Sequence, residues 1–138
     1  MRPEAAIPGA TGGQGRTPMD QAWEMETTFW EEISKGNATA FYSRNMAAEG
    51  FVVLPNRIVS RYELVSRWDQ LSAPFAYELS APTFTLIEGP NVVITYQVTM
   101  DADWLPGYEA FMTVLYAWTA SEWTLVFRAH TPKGDFPF

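Results

Sequence analysis

The sequence contains no cysteine, and His130 is the only histidine among its 138 residues. The absence of cysteine excludes disulfide bonds and thiol chemistry, and a single histidine excludes a metal site built from several imidazoles. A site made of carboxylates stays possible, but no motif suggests one. We therefore expect neither a metal ion nor another cofactor.

Positive charge is scarce as well. Nine Lys and Arg residues face sixteen Asp and Glu residues, which gives a net charge of −7. Nucleic acids and anionic membrane surfaces attract clustered Lys and Arg, so we expect neither as a partner. No apolar run approaches the length that spans a bilayer, and the N-terminus shows no basic region followed by an apolar run. We therefore expect a cytoplasmic protein.

Aromatic residues, by contrast, are abundant, with six Trp, six Tyr and nine Phe. Rings bury large areas, so we expect a core or a pocket lined with them. The length fits one domain with a substantial core. Residues 1–17 are rich in Gly and Pro and predict a disordered lead, residues 18–132 form the domain, and residues 133–138 form a short tail.

Three helices are predicted in the N-terminal half, over residues 18–35, 38–47 and 61–70. Thr17 can cap the first helix, Pro18 suits its first position, and Gly36 ends it in the left-handed conformation. The apolar positions of this helix form one wide stripe. Asn37 is expected to cap the second helix, and Tyr62 to lie on the buried side of the third.

Period-two alternation predicts the strands that follow. They are a hairpin over residues 50–60, short strands over 75–79 and 83–87, and long strands over 91–100, 108–119 and 123–130. Long neighbouring strands twist strongly, so the sheet should curl and need a cover on its inner face. Helices at one end of the chain and an antiparallel sheet at the other predict an α+β domain.

Several segments carry a family resemblance, namely residues 29–38, 60–65, 120–127 and 131–132. They resemble the first helix and its Gly-Asn junction, the segment after the hairpin, and the last strand of nuclear transport factor 2-like proteins. This superfamily includes SnoaL-like cyclases and ketosteroid isomerases. The resemblance covers residues 20–132 and implies a cystatin-like α+β roll, a cone in which a curled antiparallel sheet wraps three helices around a pocket. Many members dimerise through the outer sheet face, so a homodimer is expected.

The ketosteroid isomerase chemistry of this superfamily can be compared residue by residue. The resemblance would require a Tyr where Phe29 stands and a general-base Asp where Leu54 stands. Phe has no polar hydrogen for an oxyanion, and Leu has no ionisable group. That mechanism is therefore not expected.

Catalytic candidates remain on the last strand, where Arg128 and His130 share one face. If that face is concave, His130 could act as general acid or base and Arg128 could hold a carboxylate or enolate. A dyad would pair His130 with Glu78, Asp101, Asp103 or Glu109. The alternative is that His130 bonds to backbone at the strand end while Arg128 pairs on the surface.

Candidate pocket residues come from helices and strands alike. Tyr96 and Tyr116 could donate phenolic hydrogens, and the apolar candidates are Phe29, Trp30, Phe41, Met46, Trp68 and Met112. Ordinary core packing is the alternative for each of them. The sequence thus leaves three functions open, of which we place the first foremost. They are binding of a hydrophobic small molecule, proton-transfer catalysis by a lyase, isomerase or hydrolase on a hydrophobic cyclic substrate, and a dimeric interaction module.

Overall fold

A computed structural model describes residues 17–67, 75–103 and 105–134 of the chain. This part contains three helices and one sheet of seven strands. In chain order the elements are α1 Pro18–Ser34, α2 Ala38–Asn45, β1 Met46–Leu54, β2 Arg57–Ser60, α3 Arg61–Arg67, β3 Ala76–Leu79, β4 Thr83–Ile87, β5 Asn91–Ala102, β6 Leu105–Thr119 and β7 Glu122–Pro132. Within the described ranges, none of the helices is both long and apolar enough to cross a membrane.

The two ends of α1 follow the sequence prediction. The Thr17 side chain accepts a hydrogen bond from the Asp20 N–H at 3.1 Å, and the Asp20 side chain accepts one from the Thr17 N–H at 3.2 Å. This reciprocal pair is a capping box. After the helix, Gly36 adopts φ 86°, the left-handed conformation expected of it. Asn37 occupies the cap of α2, but its side chain makes no capping bond and donates to Glu32 instead.

The fold is the expected α+β cone, and its sheet is mixed rather than wholly antiparallel. The strand order is β2-β1-β7-β6-β5-β3, with β4 also paired to β5. Among these strands, only β1 and β7 pair in parallel, and Met46 at the start of β1 lies opposite Leu125 of β7. Two strands so far apart in sequence need no hairpin between them, so either direction is open to the pair.

Three local predictions fail at the ends of elements. The second helix ends at Asn45 because Met46 already pairs with β7. The expected connection over residues 101–107 is mostly strand, and Ala102 pairs with Leu105. Tyr62, expected on the buried side of α3, is 73% exposed, because that helix turns Leu64 into the core instead.

A bulge in β7 decides which side chains face the inside of the cone. Leu115 of β6 lies opposite Phe127, but the next residue of β6 lies opposite Leu125, so Val126 is an extra residue without a partner in the β6–β7 register. An extra residue inverts the alternation of the strand beyond it. Leu125 and Arg128 therefore face inwards together, whereas strict alternation placed them on opposite faces.

The core lies between the concave sheet face and the helices. On the sheet side, Val92, Ile94, Val98, Met112 and Val114 are fully buried. The helices contribute Ala22, Phe29, Trp30 and Phe41, each at most 1% exposed. The rings pack edge to face, as between Phe29 and Phe41 at 5.2 Å between centroids. Edge-to-face contacts stabilise beyond the area they bury, so the aromatic content is used chiefly in this core.

Candidate functional site

An apolar cavity of about 510 Å³ lies beside this core, within the size range of small-molecule sites. It is bounded by α1, α2, β1 and the ends of β5, β6 and β7 that lie near the β5–β6 connection. The described residues that line it are Phe29, Trp30, Ile33, Tyr42, Val52, Leu54, Pro55, Asn56, Phe75, Met100, Leu105, Tyr108 and His130. Most of this wall is hydrocarbon or aromatic ring.

The described residues of the cavity wall carry no formal charge near neutral pH. None of its described residues is Lys, Arg, Asp or Glu. Burial lowers the pKa of His130 to about 4, aided by the positive charge of Arg128 and opposed by Glu26. Burial also raises the pKa of Tyr42 and Tyr108, so both phenols keep their protons. The described part of the cavity wall therefore presents only neutral polar groups.

Phe29 and Leu54 both line this cavity. These are the positions at which the resemblance to a ketosteroid isomerase would require a tyrosine donor and an aspartate base. Both side chains are apolar, so neither can move a proton or stabilise an oxyanion.

A buried ion pair lies behind the cavity wall. Glu26 of α1 and Arg128 of β7 are both 0% exposed. The Arg128 guanidinium donates from Nη2 to Glu26 Oε1 and, at 3.2 Å, from Nε to Glu26 Oε2. Burial acts to lower the pKa of Arg128, but Glu26 and the three tyrosines around the guanidinium together outweigh burial and hold that pKa well above its usual value. The pair is bidentate, the strongest geometry for these two groups.

Two tyrosines complete the shell of the carboxylate. Tyr96 donates its hydroxyl to Glu26 Oε2, and Tyr116 donates to Oε1 at 2.8 Å. Trp30 in turn donates to the Tyr96 hydroxyl at 2.6 Å. Each carboxylate oxygen thus accepts two hydrogen bonds, one from a tyrosine and one from Arg128. A carboxylate occupied in this way is suited to holding the fold together and not to taking a proton from a ligand.

Arg128 connects this network to the cavity wall. Its guanidinium carbon lies 3.5 Å from the centroid of the Phe29 ring, a cation–π contact. Its Nη1 donates to the Tyr42 hydroxyl at 3.1 Å. Because Phe29 and Tyr42 both line the cavity, the ion pair fixes two of its wall residues from behind.

The structure divides the residues that the sequence offered for a site into four groups. Phe29, Trp30 and His130 line the cavity. Phe41, Met46 and Met112 are buried in the core away from it. Tyr96, Tyr116 and Arg128 belong to the Glu26 network. Trp68 lies outside the described residues.

His130 has no carboxylate partner among the described residues within hydrogen-bond distance. The expected dyad partners Glu78, Asp101, Asp103 and Glu109 are all exposed. The imidazole ring of His130 lies near the ring of Tyr108, with 6.5 Å between ring centroids. The alternative in which Arg128 pairs on the surface is wrong, because its side chain is fully buried against Glu26.

Two important residues escaped the sequence reasoning. Glu26 stands on the apolar stripe of α1, four residues after Ala22 and four before Trp30. A carboxylate at such a position signals a buried cationic partner, and that signal was available. Tyr42 gave no comparable signal, since α2 has only eight residues and too few turns to define a face.

No group of three or more His, Cys, Asp or Glu side chains in the described ranges is arranged to hold a metal ion. The only cluster of charge in the interior is the Glu26–Arg128 pair, as far as the structure describes the chain. Arginine excludes a cation at that place, because its own charge already satisfies the carboxylate.

Solved structures of other proteins share this architecture. An NTF2-like (nuclear transport factor 2-like) protein from Cytophaga hutchinsonii superposes with a TM-score of 0.74 at 10% identity, over 86% of this chain and 100% of that one. The chain has the NTF2-like fold. An uncharacterized protein with a cystatin-like fold from Caulobacter vibrioides gives 0.72 at 12% identity, over 85% and 90% of the two chains.

The association domain of C. elegans CaMKII shares the architecture as well. It superposes with a TM-score of 0.67 at 10% identity, over 82% of this chain and 94% of that one. No protein-family model matches the sequence, and no curated protein matches it. At these identities the likeness shows the fold alone, because one fold carries many unrelated functions.

Proposed function

We propose that this NTF2-like protein binds an uncharged hydrophobic small molecule in the cavity. The observation that carries the proposal is the cavity of about 510 Å³, whose described lining is apolar and without formal charge. Transfer of apolar surface from water into such a space is favourable, whereas an unpaired charge would lose its hydration there. An uncharged hydrophobic ligand is therefore favoured over a charged one.

A matched pair of fluorescent probes tests the proposal. N-phenylnaphthylamine is neutral and brightens in apolar sites, and anilinonaphthalenesulfonate is the same skeleton with an added sulfonate. We expect saturable binding of one neutral probe per chain and at least a ten-fold weaker affinity for the anionic one. Equal affinities, or no saturable signal from the neutral probe, would argue against an apolar uncharged site.

A pair of variants on one strand locates the binding. Leu54 lines the cavity, whereas its neighbour Val53 points to the other face of β1. Leu54→Trp should fill part of the cavity and weaken the neutral probe, while Val53→Trp adds the same volume elsewhere and should leave its affinity unchanged. Equal losses in both variants would place the probe outside the cavity.

An enzyme acting through His130 is the second candidate, because this side chain borders the cavity and is neutral at pH 7. A general base works best with a pKa near the working pH, so a pKa of about 4 makes this imidazole a weak one. We therefore rank binding above catalysis. Should a reaction be found, full activity of His130→Ala would exclude this assignment.

We also propose a homodimer through the outer sheet face. The support is apolar surface on that face, where Phe111 is 45% exposed and the stacked rings of Phe51 and Phe127 lie near Leu115. An apolar face of this kind is typical of interaction sites. The cytoplasmic location inferred from the sequence stays a prediction.

A further inference from the structure

We propose that the hydroxyl group of Tyr42 donates a hydrogen bond to the ligand, and that the ligand is an uncharged ring compound bearing a carbonyl oxygen. This inference rests on the proposed binding function and names the chemical group that the cavity recognises.

The geometry around Tyr42 fixes the role of its oxygen. The side chain is 2% exposed and lines the cavity. Arg128 Nη1 lies 3.1 Å from Tyr42 Oη. Arginine has donors and no acceptor, so the tyrosine oxygen must accept in this bond. The hydroxyl hydrogen is consequently free for another partner, and no acceptor for it is present among the described residues.

The other polar groups of the wall are less suited to this task. Trp30 has a single N–H, which is already donated to Tyr96. The remaining polar residues of the described wall are exposed or partly exposed, namely Asn56, Tyr108 and His130. Water can satisfy their polar atoms. Among the described lining residues, Tyr42 therefore carries the buried hydroxyl that a ligand entering the cavity would have to satisfy.

The positive charge behind Tyr42 strengthens its donor. A guanidinium that donates to a phenol oxygen draws electron density from the O–H bond, and hydrogen bonds in such a chain reinforce one another. Burial raises the pKa of Tyr42 although Arg128 opposes this, so the proton stays in place near neutral pH. Tyr42 is therefore a polarised donor that remains protonated.

A carbonyl group matches this donor better than the alternatives. Its oxygen accepts without bringing a hydrogen that needs a partner of its own, whereas an alcohol would bring one into a largely apolar wall. A carboxylate would accept strongly, but the described lining offers no cation to offset its charge. A ketone, ester or lactone on an apolar ring frame satisfies both conditions.

Fluorene and fluorenone provide the matched probes, because they share one rigid frame and differ by a carbonyl in place of a methylene group. Their affinities would be measured by calorimetry for the wild type, for Tyr42→Phe and for Tyr108→Phe as the control. The preference of the wild type for fluorenone over fluorene should fall about five-fold in Tyr42→Phe, the usual effect of one hydrogen bond, and persist in Tyr108→Phe. Comparing ratios cancels the different hydration of the two probes.

The outcomes separate this inference from the binding function itself. Binding of both probes with a ratio that Tyr42→Phe leaves unchanged, or that Tyr108→Phe abolishes, would overturn the role of Tyr42 alone. Absence of saturable binding by either probe would overturn the binding function and this inference with it. If Tyr42→Phe does not fold, the carbonyl stretching band of fluorenone bound to the wild type decides. A shift to lower frequency than in an apolar solvent supports the donor, and an unshifted band overturns it.

Discussion

Replacing Glu26 by Gln is the perturbation that tests the buried network most sharply. The change keeps the size and shape of the side chain and removes only its charge and one acceptor oxygen. Each carboxylate oxygen accepts one hydrogen bond from a tyrosine and one from Arg128. In the Gln variant, the NH2 group that replaces one of these oxygens would face a tyrosine hydroxyl and an Arg128 N–H, and it cannot accept a hydrogen bond from either. A tyrosine hydroxyl can turn away, but the guanidinium is held by Phe29 and Tyr42.

The expected cost follows from the burial of Arg128. Removing one partner of a buried ion pair leaves an uncompensated charge and typically costs about 3–5 kcal/mol. The whole stability of a domain is about 5–15 kcal/mol, so this loss is a large share of it. For a chain of this length it corresponds to a fall in Tm of roughly 10–20 °C. The packing of α1 stays the same, and the loss is therefore electrostatic and not steric.

Urea unfolding followed by tryptophan fluorescence would measure the free energy of unfolding. The matched control is Glu24→Gln, on the same helix but exposed, which should cost less than about 1 kcal/mol. Arg128→Met should also destabilise, and the double variant should cost clearly less than the sum of the two single variants, because the two groups interact directly. A Glu26→Gln cost no larger than that of Glu24→Gln would refute the reasoning.

Three further outcomes are expected. Because the pKa of His130 is about 4 in the folded protein and near 6.5 when unfolded, the unfolded chain binds the proton more readily, and stability falls as the pH decreases through this window. Between pH 7 and pH 5 the wild type should lose about 2 kcal/mol more than His130→Asn, and equal losses in urea titrations would exclude the lowered pKa. Ala120 and Ser121 adopt φ 50° and 68° in the β6–β7 turn, a left-handed conformation that Asn and Gly adopt with less strain. The double variant Ala120→Asn, Ser121→Gly should therefore raise the free energy of unfolding by about 1–2 kcal/mol. An unchanged or lower free energy of unfolding would contradict backbone strain in this turn. Leu115→Glu should convert the dimer to a monomer, as measured by light scattering, whereas Leu86→Glu, at an exposed site on β4, should leave the dimer intact. A monomeric wild type would contradict the proposed dimer.

Most of the fold could be predicted because local sequence patterns specify most of its helices and strands. The stripe and caps of α1 and the alternation in β5 and β6 each specify an element without reference to the rest of the chain. The parallel pairing of β1 with β7 could not be predicted, because it joins segments more than seventy residues apart and no turn fixes its direction. The bulge at Val126 escaped for a related reason, since it is defined by the register of the neighbouring strand.

The candidate site was less predictable than the fold. His130 and Phe29 were candidates for a site, and both line the cavity. Arg128 was a candidate for holding a carboxylate or enolate, with surface pairing as the alternative, and it instead holds the buried Glu26. The sequence showed that Glu26 sits on an apolar stripe without showing which of the cations would reach it. The role of Tyr42 could not be predicted, because it depends on a contact with Arg128, which lies 86 residues further along the chain.

The most direct test of the central claim is a titration of methyl-labelled protein with N-phenylnaphthylamine, followed by NMR. Ile33, Leu54 and Leu105 have methyl groups on the cavity wall, whereas Ile58 and Leu86 are exposed elsewhere. We expect saturable shifts at the first three that fit one site per chain, with the last two unmoved. Shifts confined to the exposed methyl groups, or none that saturate, would contradict a ligand site in this cavity.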